Sequence, residues 1–198
     1  WSFGLDFRSG VKAGIKNGTA SFAVAKSLAD TFPPTAFSCT IPLPFTASFG
    51  AGYKLNKKLS FALDINYTGW SSYDSLLIDL SYNNSRLEDI RSPRNYKSVF
   101  IFRIGSQYIL TKNVTLRAGA YYDMTPVPDG YLTPETPDAD KTGISTGATF
   151  HIGERLHVDC SLLYIEGMKR SDTHLETQFS GTYKTKAVVP GIGIEFLF

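Results

Sequence analysis

The sequence predicts an all-β protein: an antiparallel transmembrane β-barrel with about eight of its strands present. Three observations predict it. Apolar and polar residues alternate with period two through eight long segments, and helical periodicity is almost absent. Short and long connections between those segments alternate strictly. The face opposite the apolar one is built largely of Gly, Ser, Thr and Asn, with scattered Arg and Asp.

The segments lie near 2–20, 38–55, 59–79, 96–110, 114–126, 141–152, 156–168 and 180–198. The first opens on "WSFGLDFRSG", already alternating, so the chain is expected to be part of something longer. In the third, Phe61, Leu63, Ile65 and Tyr67 share a face, with Ser60, Asp64, Asn66, Thr68 and Trp70 opposite. In the fourth, Phe100, Phe102, Ile104, Tyr108 and Leu110 oppose Lys97, Arg103, Gly105 and Gln107. In the fifth, Leu116, Ala118, Ala120, Tyr122 and Met124 oppose Thr115, Arg117, Gly119, Tyr121 and Asp123. In the seventh, Val158, Cys160, Leu162 and Tyr164 oppose His157, Asp159 and Ser161. The last segment ends in "PGIGIEFLF", with Ile192, Ile194, Phe196 and Phe198 on one side. Proline cannot donate to a ladder, so Pro190 predicts a bulge or an interrupted pairing.

"LNKKL", "LTKNV" and "IGERL" read as tight hairpin turns, whereas 21–37, 80–95, 126–140 and 169–179 read as long polar loops. All short turns therefore gather at one end of the sheet and all long loops at the other, the asymmetry of a barrel that spans a membrane. A soluble barrel also alternates, but its outer face carries many long charged side chains. Small residues on the polar side suit a crowded lumen, where opposite charges pair across neighbouring strands. The apolar face is therefore expected to look at lipid, and the sheet must close, because hydrocarbon leaves no unpaired backbone group satisfied.

The 198 residues, 42% hydrophobic, suffice for one domain. A net charge of +2, widely scattered, gives no nucleic-acid footprint. No run of about 18 apolar residues marks a transmembrane helix. Two cysteines, Cys39 and Cys160, make neither a zinc set nor a disulfide framework. "GISTG" matches the Gly-x-Ser-x-Gly pattern of hydrolases, but Ser145 falls mid-strand with no helix after it. His151 and His157 face each other across the "GER" hairpin with Asp159 nearby, a polar floor rather than a three-ligand metal site. "DADKTG" resembles the start of a calcium loop, yet its twelfth position is Thr149.

The segment order resembles the C-terminal half of the FadL/TodX-type outer-membrane transporters of long-chain fatty acids and hydrocarbons. The stretches that carry it are "LPFTASFGAGYKLNKKLSFALDINYTGWSSYDSL", "RNYKSVFIFRIGSQYILTKNVTLRAGAYYDMTPVPD", "PDADK" and "GIGIEFLF". The pair "TPVPD…PDAD" is the more specific element. The resemblance implies a fourteen-stranded barrel plugged by an N-terminal hatch, with residues 1–198 as its C-terminal part and the hatch and first strands absent. It also implies an integral protein of the Gram-negative outer membrane, and a terminal aromatic, Phe198, that the barrel-assembly machinery recognises. No cofactor is implied.

In the family a lysine within Trp/Phe-Lys-Asp helps hold the ligand carboxylate; here "NYKS" keeps Lys97 and replaces the acid by Ser98. Independently of the family, an ammonium in a partly dry cavity attracts a carboxylate, and Val99 and Ile101 on the same strand offer surface to an acyl chain. Trp70 is expected near the loop end of its strand, walling a hydrophobic path or joining an interfacial aromatic belt. Arg103 and Arg117, with Asp64, Asp123 and Asp159, face the same lumen and read as an ion-pair ladder. The ligand-binding candidates are thus Lys97, Val99, Ile101, Arg103 and Trp70, with passive uptake of fatty acids or hydrocarbons as the implied activity. Two rival functions are a lipase-like barrel enzyme and a structural or adhesin barrel acting through its loops. The first needs a Ser/His pair aimed at lipid, whereas alternation turns Ser145, His151 and His157 inward.

Overall fold

The computed structural model describes residues 1–197; Phe198, and with it the terminal recognition signal, lies outside the described residues. Fourteen strands follow in chain order: β1 Ser2–Arg8, β2 Val11–Ala20, β3 Thr35–Leu43, β4 Thr46–Lys54, β5 Leu59–Thr68, β6 Ser75–Leu80 and β7 Ile90–Pro93. The second half comprises β8 Val99–Thr111, β9 Val114–Asp123, β10 Lys141–Ile152, β11 Leu156–Gly167, β12 Arg170–Thr173, β13 Ser180–Tyr183 and β14 Lys186–Phe196. Eight of them form one antiparallel sheet in the order β1-β4-β5-β8-β9-β10-β11-β14. The sheet is not closed: β1 and β14 are its two edges.

The eight predicted staves are all present, but four of them are broken. The segment 2–20 divides at Ser9 and Gly10, and 38–55 divides at Pro44, which has no N–H to give a ladder. The segment 59–79 divides at Gly69, followed by a 3-10 turn at Trp70–Ser72. A side chain at Gly69 would start 2.3 Å from the Phe45 ring, and the Gly69 N–H donates to the Phe45 carbonyl at 2.9 Å. The pieces beyond these breaks, β2, β3 and β6, form a second sheet at the long-loop end with β7, in the order β2-β3-β6-β7; β7 lies inside 80–95, expected as loop, and forms because its backbone pairs with β6 from Ser75↔Pro93 to Ile78↔Ile90. The segment 180–198 divides between β13 and β14, and the expected loop 169–179 begins with β12, which pairs with β13. Alternation alone cannot show such breaks, because apolar and polar residues alternate on both sides of each one.

Pro190 does not produce the expected bulge. It pairs opposite Leu162 in an unbroken register from Leu156↔Phe196 to Glu166↔Lys186. β14 is an edge strand of this sheet, where a missing donor is tolerated. The register shifts lie instead between Ile15 and Gly18 of β2 and between Ile109 and Thr111 of β8.

The two faces have the expected composition. Ile104, Ile144, Ile192 and Ile194 are 59, 62, 81 and 74% exposed, so the apolar face is no packed protein centre. Continuous apolar surface of this extent marks a contact with another apolar phase. Aromatic rings cross it near the long-loop end, Phe7 to Phe45 to Tyr67 to Phe100, with centroids 5.0–6.1 Å apart. Near the short-turn end Trp1 packs on Tyr53 at 4.5 Å. Aromatics at both rims are the girdles of a membrane barrel.

Candidate functional site

The polar face forms a trough of about 610 Å³ that runs across β5, β8, β9, β10 and β11. Register brings its charges together. Asp64 lies opposite Arg103 on β5 and β8, and their side chains pair at 2.7 Å. Arg117 on β9 is a hub: its Nε donates to Gln107 at 3.0 Å, and its Nη1 to Thr149 at 2.5 Å and Asp159 at 3.3 Å. The Thr149 hydroxyl also donates to Asp159. Four of the five charges expected in the ladder form two ion pairs, and with Gln107 and Thr149 they span five strands; Asp123 joins neither pair. These ion pairs remain 39–48% exposed to the trough, so each contributes little stability by itself.

Ser145 lies in the middle of β10, without a following helix. The glycine before it has a packing reason: a side chain at Gly143 would start 2.0 Å from the Tyr121 ring, which lies over it. Toward the turn end, the His151 and His157 rings meet edge-to-face at 4.5 Å. His151 Nε2 is 3.1 Å from the Thr115 hydroxyl, and His157 Nδ1 is 3.3 Å from Glu195. Among the described residues no group of three or more His, Cys, Asp or Glu could hold a metal ion.

The mouth lies at the long-loop end. Lys97 lies two residues before β8 and is exposed, while its backbone N–H donates to the Pro126 carbonyl at 2.8 Å. Among the described residues no carboxylate pairs with its ammonium. Ser98, at the position of the family's acid, instead donates to the Ser71 hydroxyl at 2.9 Å and accepts the Ser71 N–H at 3.3 Å. It braces the turn that carries Trp70. Trp70 is thus not on a strand, as its segment implied, but in that turn, edge-on to Tyr96 at 5.9 Å. Tyr96 in turn meets Tyr73 at 5.3 Å, and burial pushes its phenol above the ordinary range. Val99 is 5% exposed and packed, Ile101 is half-buried, and Arg103 is held by Asp64. Lys97, Trp70 and Val99 therefore lie at the mouth, and Arg103 lies deeper. Tyr73 and Tyr96 fall inside the expected segments 59–79 and 96–110 but outside the strands, and sequence reasoning did not single them out; "GWSSY" shows only a local density of aromatics.

"TPVPD…PDAD" folds the loop between β9 and β10. Asp140 accepts the Thr125 N–H at 2.8 Å and the Tyr122 hydroxyl, and Asp138 accepts the Thr125 hydroxyl at 2.7 Å. Asp138 also pairs with Lys141 at 2.6 Å, and Asp129 with Arg170 at 2.9 Å. Asp172 accepts the Gly130 N–H at 2.8 Å. The element is a structural clasp across the mouth.

Comparison with known proteins gives this arrangement a context. A 47 kDa outer membrane protein of Pasteurella multocida is 24% identical over 158 residues, which is 80% of this chain and 36% of that protein. A long-chain fatty acid transport protein of Escherichia coli O6:H1 is 24% identical over 163 residues, 81% of this chain and 36% of that protein. The chain thus spans about a third of the length of these relatives. Among solved structures, a Pseudomonas aeruginosa FadL homologue superposes with a TM-score of 0.79 at 18% identity, covering 97% of this chain and 47% of the other. The Pseudomonas putida toluene transporter TodX superposes with a TM-score of 0.56 at 15% identity, covering 98% and 44%. The model of the outer membrane protein transport proteins, OMPP1/FadL/TodX, matches residues 2–198. An open eight-stranded wall, greasy outside and charged inside, is accordingly part of an integral outer-membrane β-barrel, and the chain belongs to the OMPP1/FadL/TodX family of outer-membrane transport proteins.

Proposed function

We propose that the intact protein carrying this chain takes up hydrophobic small molecules passively, fatty acids or hydrocarbons, through the barrel lumen. The observation that carries the reading is Lys97: an exposed side chain at the mouth, without a carboxylate partner among the described residues, next in the chain to Tyr96, whose ring meets Trp70 and Tyr73. A cation with no internal partner attracts a ligand carboxylate, and the rings and Ile101 offer its chain apolar surface. Val99, buried at the start of β8, would add to that apolar surface, and the Arg103–Asp64 pair would line the path below. Transfer of an apolar molecule down such a wall involves no covalent step. The remaining strands and the hatch would complete the lumen, and Phe198 would present the chain to the assembly machinery.

The test uses the intact protein in detergent. Lys97→Ala should weaken binding of a fluorescent fatty acid about tenfold, the loss of one charge-assisted contact, and leave the matching fatty alcohol unaffected. Unchanged fatty-acid affinity would remove Lys97 from the path.

A further inference from the structure

Alternation and register assign each side chain of the eight-stranded sheet to the lumen or to the outside. On the outside, among the described residues, these strands carry only two charged groups, and the two are neighbours: Glu166 of β11 lies opposite Lys186 of β14. Lys184, in the link before β14, joins them. The Lys184 and Lys186 ammonium groups lie 3.0 and 3.4 Å from the same Glu166 oxygen. Tyr164 donates to the other Glu166 oxygen at 3.3 Å. One pair further toward the short-turn end, the outer surface is Tyr164 and Val188, and beyond them Leu162, Pro190 and Ile192. The trio therefore stands where the apolar band stops, at its long-loop rim.

Two ammonium groups against one carboxylate leave one positive charge and unused N–H donors at the level of lipid headgroups. Both lysines are about half-exposed; Lys186 has the outward parity of β14, and Lys184 reaches the same outward carboxylate. Elsewhere on this rim the outward residues are Phe7, Tyr67, Phe100 and Tyr122, which carry no charge. A basic spot directly above exposed aliphatic surface matches a molecule with an anionic head and acyl chains. From charge complementarity and this continuity we propose that Lys184 and Lys186 form a docking site for the phosphorylated headgroup of an outer-leaflet lipid, its chains lying along Val188, Ile192 and Ile144. Glu166 spaces the two lysines and competes with the phosphate.

Native mass spectrometry of the intact protein in non-ionic detergent tests this. The probes are diphosphoryl lipid A, the same lipid stripped of phosphate, and sodium phosphate. Diphosphoryl lipid A should bind the unaltered protein at least about tenfold more tightly than the stripped lipid, with free phosphate weaker still. K184Q/K186Q should abolish that preference, and E166Q, which keeps both lysines, should strengthen it. Heat-modifiable migration verifies that each variant is folded, and the three-probe comparison needs no variant at all. Equal binding of the phosphorylated and stripped lipids, or an undiminished preference in folded K184Q/K186Q, would overturn the proposal. So would free phosphate binding as well as the lipid.

Discussion

Single residues in this protein are read by which side of the sheet they face. Ile104, near the middle of β8, faces outward at 59% exposure. Ile104→Arg should cost about 2–4 kcal/mol in vesicle refolding, whereas Leu110→Arg at the turn end of the same strand should cost about 1 kcal/mol or less. Equal costs would contradict the assigned depth. The inward charges behave differently. Arg103→Met should lower stability by less than about 1 kcal/mol, measured by urea titration in vesicles, because its pair with Asp64 stays solvated. Asp89, in the loop after β6, titrates to an effect. Its carboxylate accepts the Leu80 N–H at 2.9 Å and the Asn83 amide at 3.0 Å, and these donors hold it below the usual carboxylate range. A depressed carboxylate stabilises fully above its unfolded pKa, about 3.9, and loses that contribution as pH falls through its lower folded value. Protection of the Leu80 amide, corrected for intrinsic exchange, should therefore hold at pH 5 and above and decline only in more acidic solution.

Elements show where sequence reading succeeded and where it stopped. Tight turns such as 55–58, where Asn56 Oδ1 accepts the Lys58 and Leu59 N–H groups at 2.8 and 3.0 Å, announce themselves through Asn and Lys between alternating runs. The eight staves and their parity were legible for the same reason: a lipid-facing strand must alternate. The breaks at Pro44 and Gly69 were not, since each interrupts pairing without reversing parity, and the Gly69 break depends on the Phe45 ring, from the link between β3 and β4. At the candidate site, Lys97 lies at the loop end of its stave, where its segment put it. Trp70 was misplaced because its turn is held by Ser71 and Ser98, residues 27 apart that no local pattern links. The β9–β10 loop gives a prediction at this scale. Asp140→Ala strips partners from the Thr125 N–H and the Tyr122 hydroxyl, so it should destabilise the loop by about 1–3 kcal/mol and expose 126–140 to limited proteolysis. Uncut protein under conditions that cleave other loops would refute the clasp.

The whole molecule is an unfinished wall. Among the described residues β1 and β14 are the two edges of the sheet, and in hydrocarbon every unpaired backbone group costs several kcal/mol. Residues 1–198 refolded alone into vesicles should therefore form edge-paired oligomers rather than a monomeric, heat-modifiable barrel, as cross-linking and gel migration would show. The loop end, by contrast, is already knitted together. The Asn84 amide donates to the Thr31 carbonyl at 2.7 Å, 53 residues away, and Arg170 reaches Asp129, 41 residues away. An antibody raised against the native loop end would meet this mosaic, not any one peptide. Antisera raised against the native cell surface should consequently lose most of their reactivity on a boiled blot, and synthetic loop peptides should make poor immunogens.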